Sequence, residues 1–321
     1  MKRFFAIGAL FIGFGIILFA IVMSFNQWDF SILGSASFET NTHEITEDFS
    51  TISIECDTED VKILPAEDGI SKVVCFEEKN QRHGVAISEG KMSIKVVDER
   101  KWYEYISIYS PASTVTVYLA QSEYDSLFIK SSTGDVEISN GFTFRSIDIS
   151  ASTSDVENYS SATESMKIQL STGDITVENA SAGSLSLKVS TGHVTLTGIS
   201  CSGDVDIEVG SGKTEMSDVK CANLISTGST GDITMNNLVA AQKINITRGT
   251  GDVRFEDSDA LEVEIKTSTG DVKGTFLTEK VFIVNTSTGK IKVPESVSGG
   301  KCKVTTGTGD VKISIRVFTK E

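Results

Sequence analysis

The phrase Ser-Thr-Gly-Asp, or a close variant of it, returns every 19 or 20 residues through the last two-thirds of the chain. Its glycine stands at Gly134, Gly173, Gly192, Gly212, Gly231, Gly251, Gly270, Gly289 and Gly309, with Ser154 in the one remaining slot. Self-similarity at such a period marks a repeat architecture, in which each unit buries its apolar face only by stacking on its neighbours. This constraint outranks any local motif, because a motif that recurs in every repeat is first of all a part of the repeat.

Two alternating stretches flank the phrase. Seven and five residues before the glycine stand apolar pairs such as Leu185 and Leu187, Val205 and Ile207, or Ile244 and Ile246. Two and four residues after it stand Val194 and Leu196, Ile233 and Met235, or Val253 and Phe255, with Thr195, Thr234 and Arg254 between them. Alternation with period two is the pattern of a strand with one buried face. The glycine supplies positive φ at a corner. A second corner follows six residues later, at Asn140, Asn179, Gly198, Asp218, Asn237 and Asp257, residue types that tolerate left-handed backbone.

Strand, corner, strand, corner predicts an all-β fold. The reading adopted is a parallel β-solenoid (β-helix) of about ten regular coils, one per repeat, rising about 4.8 Å each to a rod of about 50 Å. A row of antiparallel hairpins turning at Thr-Gly is the alternative. The solenoid fits better, because its coils place identical columns on top of one another.

The sequence divides into a cytoplasmic tip and transmembrane anchor (1–23), a stalk (24–45), a degenerate N-terminal β segment or cap (46–130) and the regular repeats (131–321). Within the cap, Ile52, Ile54, Val61 and Ile63 follow the repeat with Glu59 in the glycine slot. Further strands are expected at 92–96, 105–108 and 115–119, and residues 77–84 read as a polar loop.

Lys2 and Arg3 precede the stretch from Phe4 to Met23, which holds no charged residue and has membrane-spanning length. No Lys or Arg follows until Lys62. The positive-inside rule therefore places the N-terminus in the cytoplasm and the rest outside, with Trp28 at the outer interface. The expected location is the cell membrane, with a single pass, and the membrane itself is the first partner.

The formal charge is −15, and it is uneven: residues 24–160 hold 24 acids against 10 bases, residues 161–321 hold 20 against 17. This disfavours nucleic acid as a partner, since phosphate binding needs a cationic surface. It leaves an envelope polymer or a surface protein.

Candidate chemistry reduces largely to structure. Asp135, Asp155 and Asp174, and again Asp232, Asp252 and Asp271, stack in successive coils. They either bond the backbone of the corner or share calcium, and His193, Lys213 and Lys290 interrupt the column. His43, His83 and His193 fall in stalk, loop and corner, with no shared site. No nucleophile elbow and no metal-ligand spacing is present. The chain is thus read as having no catalytic, cofactor-binding or metal residues, and as not being an enzyme. Arg254, Lys273, Lys292 and Lys312 share one column, read as a solvated outer face; a polysaccharide-cleaving β-helix, the least favoured reading, would use such a group. Cys201 and Cys221 share a column with Ala182, Ala240 and Ala260, either as a ladder of small buried residues or as a disulfide; Cys302 reads as core.

Repeated Ser-Thr-Gly-Asp-Val/Ile with alternating strands, behind an N-terminal apolar segment, resembles the bacterial putative-adhesin family, a domain of unknown function. Val115-Thr116-Val117-Tyr118-Leu119 is similar to the strand that this family places before its repeats, although Ala120 stands where proline is usual. The resemblance spans residues 46–318. It implies a β-solenoid in the cell envelope with an adhesin-like binding or structural role and no catalytic residues. Some relatives accompany envelope-stress systems, which implies the alternative of an accessory or sensory protein acting on membrane partners.

Overall fold

Corner glycines stack directly on one another, and this contact defines the architecture. In a computed structural model, which describes residues 2–28, 37–99 and 112–316, the nine repeat glycines have φ between +114° and +154°. A Cβ added at Gly192 would lie 1.9 Å from the carbonyl oxygen of Gly173, and one at Gly212 would lie 1.8 Å from that of Gly192. Glycine is therefore required twice, for the left-handed backbone and for the approach of the coil beneath.

The 25 strands of the described residues form one continuous sheet. Through the repeats every pairing is parallel and column on column: Ile149 faces Ile168, Ile168 faces Leu187, and Leu187 faces Ile207. The fold is a parallel β-solenoid, and the hairpin alternative is excluded. Each coil runs through a strand, the Thr-Gly corner, a second strand, and a left-handed corner at residues such as Asn179 (φ 51°), Asp218 (56°) and Asn237 (52°). In the first repeat that corner falls one residue later than expected, on Gly141 rather than Asn140. A third corner, marked by irregular register between Cys221 and Asn223 and between Ala240 and Lys243, closes the coil. The interior is one apolar column system from Ile52 to Ile313.

The stacking order departs from chain order at both ends. The Gly309 coil does not follow the Gly289 coil; it lies between the Gly270 and Gly289 coils. Strand Gly300–Thr308 pairs with Val253–Thr269 on one side and Lys280–Thr288 on the other. Gly309 accordingly rests on Gly270, and Gly289 on Gly309. At the other end, Thr51–Glu55 is held between Lys91–Asp98 and Glu123–Thr133, and Asp60–Pro65 between Thr114–Leu119 and Val136–Ile138. The outer coil of the C-terminal end leaves Ile283 and Ile291 half exposed.

The cap only partly follows the repeat. Glu59 does occupy the glycine slot, and Gly134 stacks on its carbonyl. The segment read as a polar loop at 77–84 is instead a hairpin, Lys72–Glu78 turning into Gln81–Ser88, with Glu77, Gln81 and His83 buried. Its inward positions carry polar groups, so alternation there did not look like a strand. Phe38–Glu44, within the segment read as stalk, pairs antiparallel with Lys72–Glu78. The strand expected at 105–108 lies outside the described residues.

A helix spans Lys2–Phe25. Counted over the described residues alone, which leave out the side chains of residues 2–7 and 9, no helix is long and apolar enough to cross a membrane.

Several interior positions break the apolar pattern, among them Asn158, Lys280 and Arg248. Arg248 is 2% exposed and has no ion pair among the described residues. Its guanidinium donates to Thr214 Oγ1 (3.0 Å) and Ser226 Oγ (3.2 Å), while Nε has no partner. Gly228 makes the room, since a Cβ there would lie 1.6 Å from Arg248 Nη1. Burial pulls the Arg248 pKa down to about 10.

Two outcomes follow from these contacts. Gly231→Val, at φ +129° and with a Cβ 1.9 Å from the Gly212 oxygen, loses at least about 1–3 kcal/mol of stability in chemical denaturation. Arg248→Met is neutral or gains up to about 4 kcal/mol in the same assay, because it removes a buried charge that has no counter-ion.

Candidate binding surface

Where an aspartate follows the corner residue, it ties one coil to the next. Its Oδ1 accepts the backbone N–H of the corresponding residue one coil on: Asp135 from Asp155 (2.9 Å), Asp155 from Asp174 (2.8 Å), Asp232 from Asp252 (2.9 Å), Asp252 from Asp271 (2.8 Å). The ladder follows the spatial order at the end, where Asp271 accepts from Asp310 and Asp310 from Lys290. His193 fits the same role, as Lys213 N–H donates to its Nδ1 at 3.0 Å. Of the two readings of this column, the bond to the backbone is the one the geometry displays. With Oδ1 engaged by the backbone, Oδ2 of Asp232, Asp252 and Asp271 is left to pair with a cation.

Three residues after the glycine, the side chain points out between two core positions. In the first coils this column is acidic or neutral: Glu137, Glu157, Thr176, Thr195, Glu215, Thr234. In the last four coils it turns basic. Spatial order makes the row Arg254, Lys273, Lys312, Lys292, with each residue directly opposite the next in the parallel register. The chain-order stack Lys273, Lys292, Lys312 is thereby corrected: Lys312 sits in the middle. An open groove of about 460 Å³ runs along this row, floored by Phe255 and Gly274.

Like charges on facing strands repel, and the row is only half compensated. Arg254 pairs with Asp252 (2.5 Å) and Asp232 (3.4 Å), and Lys273 with Asp271 (2.7 Å). The Lys273 ammonium, followed by the Asp310 N–H, holds the Asp271 carboxyl below its ordinary 3.8. Lys312 and Lys292 have no ion pair among the described residues.

The cap holds a second concentration of chemistry. Cys56 and Glu59 at the first corner, Cys75 and Glu77 on one hairpin strand and His83 on the other are all buried and converge. The loop expected at 77–84 is corrected here: His83 lies on a buried strand against Glu77, and the ligating atoms of Cys56, Glu59 and His83, like those of Cys75, Glu77 and His83, come within 4.8 Å of one another. Glu77 Oε2 accepts from the His83 backbone N–H at 2.6 Å and lies 2.6 Å from His83 Nδ1, while Glu77 Oε1 accepts from Asn41 at 2.7 Å. Glu59 Oε2 accepts the N–H groups of Asp57 (2.8 Å) and Thr58 (2.9 Å). The sequence signal was faint: Cys75 and Glu77 alternate on one arm of the hairpin and Gln81 and His83 on the other, all on its inward face.

All five cysteines are free and buried. Cys201 and Cys221 lie one rung apart in the small-residue column, where Ala182 faces Cys201 and Cys221 faces Ala240. Burial pushes the thiols of Cys75, Cys221 and Cys302 up to about 12, and Cys56 and Cys201 also upward. Such thiols are poor nucleophiles. His43 lies on Phe38–Glu44 opposite Val73, so the three histidines remain apart.

A family model described as Toastrack DUF4097 matches residues 49–210 and 202–319. The chain belongs to this family. Solved structures similar to this Toastrack chain include a putative adhesin from Bacteroides fragilis NCTC 9343, at 14% identity and TM-score 0.42, covering 87% of this chain and 98% of that one. A putative adhesin from Parabacteroides distasonis ATCC 8503 is 11% identical at TM-score 0.38, covering 88% and 98%. A putative lipid binding protein from the same organism is 10% identical at TM-score 0.32, covering 88% and 98%. No curated protein sequence matches the chain.

The Asp ladder gives a direct test. Asp252→Ala removes the acceptor for Asp271 N–H and a partner of Arg254, and costs about 1–3 kcal/mol in urea denaturation; Asp252→Asn keeps an oxygen acceptor and costs less.

Proposed function

We propose that this protein is an adhesin-like binding protein of the cell envelope, anchored by its N-terminal helix and engaging a polyanionic envelope polymer through the row Arg254, Lys273, Lys312, Lys292. The row carries the reading. It sets four cations at a repeat of about 4.8 Å, over about 14 Å, on a rigid ladder. A linear polymer with regularly spaced carboxylates or phosphates meets such a row at low entropic cost, because the cations are already aligned. The rest of the chain is acidic and repels the same polymer, which confines contact to the end of the rod away from the cap.

The anchor follows from the segment Phe4 to Met23. Its uncharged length of about 30 Å as a helix matches the hydrocarbon core of a bilayer. Leu10, Phe11, Ile12, Phe14, Ile16 and Ile17 are exposed in the folded chain, on several sides of the helix, and need an apolar surrounding. With Lys2 and Arg3 held inside, the solenoid stands outside the membrane.

The full chain in detergent or nanodiscs binds a soluble polyanionic glycan or a polyphosphate in a salt-dependent manner, measured by calorimetry at two ionic strengths. Lys312→Glu with Lys292→Glu weakens this binding at least tenfold, while a neutral glycan is not bound by either form. Equal binding by the double variant would overturn the reading.

A further inference from the structure

We propose that Cys56 Sγ, Cys75 Sγ, His83 Nε2 and Glu59 Oε1 form a closed tetrahedral site for a divalent metal ion of zinc character, with Glu77 as the outer partner of His83. The donors come first. Two thiols, an imidazole and a carboxylate form a set that zinc takes in structural sites, and soft sulfur disfavours calcium or magnesium. The ligating atoms of Cys56, Glu59 and His83 all lie within 4.8 Å of one another, as do those of Cys75, Glu77 and His83. A tetrahedral zinc with bonds of about 2.0–2.3 Å separates its donors by about 3.3–3.8 Å. The observed 3.9 Å between His83 Nε2 and Glu59 Oε1 is somewhat wider, and Cys75, grouped with Glu77 and His83, has to turn its thiol toward Nε2 to complete the shell.

The orientation of each donor argues further. The His83 side chain is fully buried, and Nε2 has no hydrogen-bond partner. A buried imidazole nitrogen without a partner is costly. The opposite nitrogen is fixed by Glu77, whose second oxygen is itself fixed by Asn41. This is the carboxylate–histidine arrangement that holds the proton on Nδ1 and turns the Nε2 lone pair toward a metal. Glu59 is prepared in the same way: Asp57 and Thr58 hold Oε2, leaving Oε1 to face His83. On binding, the two thiols lose their protons to solvent and coordinate as thiolates.

Four protein donors leave no open position for a substrate, so the site is structural. It draws on three segments. Cys56 and Glu59 belong to the corner of the first parallel coil, Cys75 to Lys72–Glu78 and His83 to Gln81–Ser88. The ion would fasten the antiparallel cap to the end of the solenoid, and the cap's attachment would depend on metal supply.

The test is cobalt substitution in the full chain, purified with reductant and without chelator. One equivalent of Co²⁺ gives the intense visible bands of a tetrahedral site and a thiolate charge-transfer band, and Zn²⁺ displaces it. A variant with Cys201, Cys221 and Cys302 changed to Ala retains both features. Cys75→Ser and His83→Asn abolish the tetrahedral spectrum, and Glu77→Gln lowers zinc affinity about 10–100-fold. Should those variants fail to fold by circular dichroism, the spectra and stoichiometry of the wild type and the triple-alanine variant decide. Absence of a tetrahedral cobalt spectrum in the folded wild type, its survival in folded Cys75→Ser or His83→Asn, or a Cys56–Cys75 disulfide in peptides from the protein as isolated would overturn the proposal.

Discussion

The approach of one corner backbone to the next sets everything else in this molecule. Glycine in left-handed geometry lets the carbonyl of one coil lie where a Cβ would otherwise stand, and the aspartate beside it receives the amide of the next coil. Together they fix the rise and the rotation of each rung at a point where no side chain can intervene. The apolar columns then fall into line because the corners have already aligned them. A solenoid of this kind has local stability: each coil depends on its immediate neighbours, and damage at one corner spreads along the rod only through those contacts.

That local rule explains what could be read from the sequence. The period, the two strands and the two corners were legible because the same constraint recurs in every repeat. The order of the final coils was not. Lys273, Lys292 and Lys312 occupy equivalent positions with equivalent neighbours, so nothing in their local sequence says which lies beside which. The pair Gly228 and Arg248 was hidden for a related reason, since a missing side chain in one coil and an oversized one in another matter only once the two coils touch. The cap was misread because its hairpin turns polar residues inward. Cys56 is a whole strand away from Cys75 in sequence, and Cys75 and His83 lie on opposite arms of the hairpin, so only the fold brings them together.

The charge distribution gains meaning from the stacking order. An acidic cap and an almost neutral body end in a row of four cations, two of them without ion pairs among the described residues. Because strands are parallel and in register, side chains in one column share one direction, and a charge pattern written at one position per repeat becomes a straight line on the surface. Repeat proteins can thus change a binding face by substitution in a single column while leaving the core untouched.

The displaced Gly309 coil has a consequence for how the chain becomes a rod. Ribosomes deliver the Gly289 coil before the Gly309 coil, yet the former has no neighbour until the latter is threaded between it and the Gly270 coil. Growth by simple addition, rung after rung, therefore stops at the Gly270 coil. The remaining segment must wait, unpaired, for the strand that follows it. The Gly289 and Gly309 coils therefore have to be placed together, and a chain interrupted before that leaves the Gly270 coil without the strand that covers it.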